Sequence, residues 1–131
     1  MTLVVREPST GAMEAILADD PDIVTWWGSR VECASALARL ERESQLTPAE
    51  AAAAGEALAE FRDSWRDVLP SDMVRETAER VVRTHPLRAA DALQLAAALA
   101  ASEFRPVSLS FVCLDQRLAE AARREGFAGW V

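Results

Sequence analysis

Lysine, asparagine and tyrosine are absent from the 131 residues, and all fourteen basic residues are arginine. The missing types have AT-rich codons, so the bias speaks for a GC-rich genome more than for a function. Histidine occurs once, at His85, and no Gly-x-Ser-x-Gly setting is present. That argues against a Ser-His-Asp hydrolase. Cys33 and Cys113 are far apart and form no Cys-x-x-Cys, which is too little for a zinc site or a disulfide framework. Both read as free, buried thiols. There is no run of eighteen apolar residues and no charged-then-apolar leader, so no membrane span is expected and the location expected is cytoplasmic. Positive charge is also scarce. A net charge of −7 argues against broad electrostatic attachment to nucleic acid. It leaves open an enzyme with only a short basic rim around an acidic, metal-loaded site.

What the chain has instead is apolar mass and alanine. Half of its residues are hydrophobic, and the length fits one domain, residues 1–131, with a real core. The stretch Leu87 to Ala100 reads as a helix, because Ala and Leu are strong helix formers and no Gly or β-branched residue interrupts them. It is apolar nearly all round, which marks a helix buried on several sides. Asp91 lies on its stripe with Leu87, Leu95 and Ala98. A buried carboxylate needs an Arg, backbone N–H groups or a cation to compensate it. A position near a helix start after Pro86 supplies one structural answer, through the helix dipole and unpaired N–H groups.

Met1 to Pro8 is short and apolar before a proline, and reads as either a strand or the tail of a helix. A helix capped by Ser9 is expected from Thr10 to about Ala18, then a turn at Asp19-Asp20-Pro21 and a strand at Ile23–Trp26. A helix from Ser29 should turn Val31, Ala34, Leu37, Ala38 and Leu40 inward. Thr47-Pro48-Ala49-Glu50 combines an N-cap, Pro at the first helical position and Glu at the third. Arg66–Leu69 reads as a short strand, and Ser71 caps a helix through Val74, Ala78, Val81 and Val82 that ends before Pro86. Val107 to Leu114 is the clearest strand by composition. Gln116 to Glu125 should form a last helix stopped by Gly126, with an edge strand over Phe127–Val131. Strands separated by helices predict an α/β fold on a parallel sheet.

Three acids stand apart from the solvated ones. Asp115 directly follows a strand, and ligands of open α/β sheets bind outside the carboxyl ends of strands. Glu32 and Asp91 lie in the opening turns of their helices. Converging carboxylates repel unless a divalent cation sits between them, and oxygen-only ligand sets suit Mg²⁺ or Mn²⁺. Each also has a structural reading. Ser29-Arg30-Val31-Glu32 fits a capping box, Asp115 fits an N-cap, and His85 before its proline reads as a helix-end cap.

Leu87-Arg88-Ala89-Ala90-Asp91-Ala92-Leu93-Gln94-Leu95-Ala96-Ala97-Ala98, followed by Phe111-Val112-Cys113-Leu114-Asp115-Gln116-Arg117-Leu118-Ala119-Glu120-Ala121-Ala122, resembles the C-terminal half of a PIN domain. More narrowly it resembles the VapC-type toxins of bacterial toxin–antitoxin pairs. Ser29-Arg30-Val31-Glu32 with Ala36-Leu37 resembles the family's second acidic motif, and Val5-Arg6-Glu7-Pro8 the end of its first helix. The resemblance implies a three-layer α/β/α sandwich and a Mg²⁺- or Mn²⁺-dependent endoribonuclease. It makes Glu32, Asp91 and Asp115 the catalytic, metal-binding positions. Arg30, Arg88 and Arg117, next to them in sequence, are candidates for contacting substrate phosphate. A cognate antitoxin and a homodimer are implied as well.

The chain departs from the family at its start. Members open with a central strand ending in Asp-Thr-Ser, whose Asp is the first metal ligand; here both strand and Asp are expected to be missing. Cys113 also stands where the family often has Thr. Either the gene product starts upstream and this is a shortened active nuclease, or the domain is a catalytically degenerate, partner-binding module. A helical interaction protein unrelated to nucleases is the third possibility, and a parallel sheet would remove it.

Overall fold

The computed structural model describes residues 2–5, 22–113 and 115–130. The helix expected over 10–18 and the turn at 19–21 lie outside them. Five strands, β1 (Thr2–Val5), β2 (Ile23–Trp26), β3 (Arg66–Val68), β4 (Ser110–Cys113) and β5 (Ala128–Trp130), form one sheet in the order β3-β2-β1-β4-β5. All four pairings are parallel. Parallel strands need crossover connections, which the helices supply. This sheet is incompatible with an all-helical protein.

The central position is filled by the chain's own residues 2–5. Thr2 pairs with both Ile23 and Ser110, and Val5 lies opposite Cys113. The expectation of a missing first strand therefore does not hold. Thr-Leu-Val-Val has the β-branched composition that a parallel strand favours, so the strand reading of this segment prevails over the helix-tail reading. No Asp-Thr-Ser follows it; the next residues in sequence are Arg6, Glu7 and Pro8.

Among the described residues the helices are α1 (Ser29–Arg42), α2 (Pro48–Arg62), α3 (Asp72–Thr84), α4 (Ala89–Ala101) and α5 (Gln116–Glu125). Helix α4 is the hub: it packs against α3, β2 and β3, and touches α5. Ala92 and Leu95 to Ala98 are wholly buried, as the all-round apolar pattern predicts. Alanine here brings helix backbones close to their neighbours, while Leu95, Leu109 and Leu118 fill the larger spaces. On the other half of the sheet α5 packs against β4 and β5, and the Phe111 and Phe127 rings meet at a centroid distance of 5.4 Å.

Several local signals act as their chemistry predicts. Thr47 and Glu50 exchange backbone-to-side-chain bonds of 3.0 and 3.1 Å in a reciprocal capping box. Ser71 Oγ accepts from Val74 N–H, and Gly126 ends α5 in the left-handed region at φ 108°. Other signals fail. The stretch 106–108 is a turn of 3₁₀ helix opened by Pro106, so β4 begins only at Ser110. Helix α1 turns Ser29 and Cys33 into the core while Val31 is 71% exposed. Val82 of α3 is likewise exposed.

Candidate functional site

All five strands point the same way; from central β1 the order proceeds through β2 to β3 on one side and through β4 to β5 on the other, so the strand order reverses between β1 and β4. Ligands of open parallel sheets bind outside the carboxyl ends at such a reversal. Asp115 stands there, two residues past the end of β4. It is the N-cap of α5, its Oδ1 accepting from Arg117 N–H at 2.9 Å and Leu118 N–H at 3.1 Å. The capping reading is therefore realised. Cys113, buried at the end of β4, places its Sγ 3.2 Å from the Asp115 nitrogen and 3.3 Å from its carbonyl oxygen. The thiol thus braces the backbone that presents this carboxylate.

Glu32 is half-buried in the first turn of α1. The capping box proposed for that turn is not built as expected. Gly28 is the N-cap, and Ser29 lies inside the helix with its hydroxyl donating to Gln94 Oε1 at 3.2 Å. A Cβ on Gly28 would sit 2.6 Å from the Trp26 indole nitrogen, so only glycine lets the chain turn from β2 into α1 this tightly. Gln94 Nε2 in turn donates to Glu32 Oε2. That bond joins the start of α1 to α4. Asp91, half-buried, precedes Gln94 by one helical turn on the same face of α4. The fold thus links Glu32 to the helix that carries Asp91.

Among the described residues no group of three or more His, Cys, Asp or Glu side chains is close enough to hold one metal ion. Glu32, Asp91 and Asp115 therefore do not form a closed three-carboxylate cage. The donor set itself consists of hard carboxylate oxygens, which suit Mg²⁺. That ion keeps several waters and commonly takes only one or two protein carboxylates plus substrate phosphate. An open, partly hydrated site of that kind is chemically compatible with these residues.

Arg30, Arg88 and Arg117 are all exposed, with Arg88 as the N-cap residue of α4. Two features went unmarked in the sequence: Gln94 as the partner of Glu32, and Cys113 as the brace of Asp115. The signal available for Gln94 was a polar amide inside an otherwise apolar helix. His85 caps the C-terminus of α3, and its ring bonds Glu125 rather than any of the three acids. A pocket of about 360 Å³ lies elsewhere, lined by Trp26, Leu93 and the Pro70–Asp72 turn among others. It contains none of the three acids.

No known family profile and no curated protein matches the chain. Among solved structures it is similar to PAE2754 from Pyrobaculum aerophilum. The match has a TM-score of 0.63 and 21% identity, and covers 98% of this chain and 87% of that one. At this identity the likeness concerns the fold alone. It supports the α/β architecture described above. Among the described residues no helix is long and apolar enough to cross a membrane.

Proposed function

We propose that this chain is a PIN-like, three-layer α/β/α domain acting as a Mg²⁺- or Mn²⁺-dependent endoribonuclease, the toxin of a bacterial toxin–antitoxin pair. The observation that carries the reading is the Glu32–Gln94 bond, which ties the second acidic motif to the helix bearing Asp91. Asp115 at the strand-order reversal is the third member. Glu32, Asp91 and Asp115 would offer the hard oxygen ligands. A bound cation would supply an activated water and polarise the scissile phosphate. Exposed Arg30, Arg88 and Arg117 would contact substrate phosphates. In this reading the protein works in the cytoplasm, as a homodimer held in check by its antitoxin.

One observation favours a second reading, a catalytically degenerate module that keeps only partner binding. The central strand is present, yet Arg6 rather than Asp follows it in sequence. The family pattern's Asp is thus not the residue that follows this strand, and a site without that ligand attracts a cation less.

Thermal unfolding with and without millimolar Mn²⁺, beside an Asp91→Asn variant, separates the two. Ligand at a hundred times its Kd adds about 2.7 kcal/mol of stability, several degrees in melting temperature. The nuclease reading expects that shift in the wild type, its loss in Asp91→Asn, and Mn²⁺-dependent RNA cleavage that Asp91→Asn abolishes. No shift in either protein, with Asp91→Asn the more stable, would leave the partner-binding module.

A further inference from the structure

We infer that Gln94 is a positioning residue for the metal-facing carboxylate of Glu32, with Ser29 fixing which way its amide points. The inference rests on the metal-site reading above and names the device that aims one of its ligands. Gln94 is 1% exposed, in the middle of the apolar helix α4. An amide buried there is costly unless both its ends are bonded. Both are: Oε1 accepts from the Ser29 hydroxyl at 3.2 Å, and Nε2 donates to Glu32 Oε2.

The two bonds together remove the ambiguity of an amide's orientation. Flipping the amide would turn its oxygen toward the carboxylate, where two acceptors face each other with no proton between them. It would also turn the –NH₂ group toward Ser29 and dismiss the hydroxyl's donated bond. Ser29 and Glu32 are three residues apart on one face of α1. A single side chain from α4 therefore grips that face at two points. Groups that orient a ligand in this way are generally worth ten- to a hundred-fold in metal affinity.

The test compares wild type, Gln94→Leu, Ser29→Ala and Glu32→Ala, each first shown to be folded by circular dichroism. Mn²⁺ binding is followed by the electron paramagnetic resonance signal of the free ion. The side-chain amide of Gln94 is followed in ¹H–¹⁵N spectra without metal. The expected result is a roughly ten- to hundred-fold weaker Mn²⁺ Kd for Gln94→Leu and a smaller loss for Ser29→Ala. The Gln94 –NH₂ resonances should also move in Glu32→Ala. A purely structural tie would lower the melting temperature of Gln94→Leu while its Mn²⁺ Kd stayed at the wild-type value; that outcome overturns the inference alone. Unmoved Gln94 resonances in Glu32→Ala overturn it too, because the bond would then be absent in solution. If wild type itself binds no Mn²⁺, the metal-site reading falls and this assignment with it. Should Gln94→Leu not fold, Ser29→Ala and the amide signal decide.

Discussion

Asp115 shows how one carboxylate can serve structure and chemistry together. Its Oδ1 holds two backbone N–H groups at the start of α5, a role that the order strand, Asp, helix made legible. The two roles can be separated by substitution. Asn caps a helix about as well as Asp, whereas Ala costs about 1 kcal/mol. Asp115→Asn should therefore match the wild type in urea denaturation while Asp115→Ala falls below it, and both should weaken the Mn²⁺ response. An unchanged Mn²⁺ response in both would leave Asp115 a cap only. Ser29 is the opposite case. Its sequence signature is that of a cap, but Gly28 takes that position because the Trp26 indole leaves no room for a side chain. The Ser29 hydroxyl is then turned toward Gln94. A residue sixty-five positions away decides what it does.

The ends of α3 and α5 are joined by a small charged cluster that no local pattern announced. Arg80 grips Glu125 through both terminal nitrogens, at 2.8 and 3.2 Å, and His85 Nε2 lies 2.7 Å from the same carboxylate. The Arg80 hydrogen bonds hold the Glu125 carboxyl below its ordinary value of 4.5; burial works against them, and His85 adds to the lowering. A carboxyl depressed in the folded state contributes stability that is present above its unfolded value and fades as pH falls through the folded one. Arg80→Met should therefore cost about 1 kcal/mol at neutral pH, a modest figure because Arg80 is half exposed. The gap from wild type should close as the solution is acidified below the ordinary glutamate range. A gap that stays constant with pH in urea titrations would assign the effect to lost packing of the Arg80 stem instead. By contrast the capping box of α2 was readable in four consecutive residues, since both of its bonds are local.

At the scale of the whole molecule, α4 is the helix that the sheet, α3 and α5 all touch. Ala97 is wholly buried in it. Close packing leaves no space for added methylenes, so Ala97→Leu should cost about 1–3 kcal/mol. The urea midpoint should fall with an unchanged m-value. A neutral substitution would mean that the alanines of α4 face slack space rather than close neighbours. The same close packing explains the helix's composition. Small side chains let α3 and the sheet approach from different sides, and the few polar residues that remain must find partners within that packing.

Local signals in the chain suffice for the α/β class, for most strands and helices among the described residues and for the burial of α4. Each of these depends on contacts within a few residues: propensity, apolar period, caps and turn residues. Contacts between distant segments set the rest: residues 2–5 take the central strand, Val31 faces outward and Glu32 is held by Gln94. They also leave Glu32, Asp91 and Asp115 short of a closed cage among the described residues. Those outcomes depend on which surfaces meet across a parallel sheet. A parallel sheet joins strands far apart in the chain, so no window of neighbouring residues contains both partners.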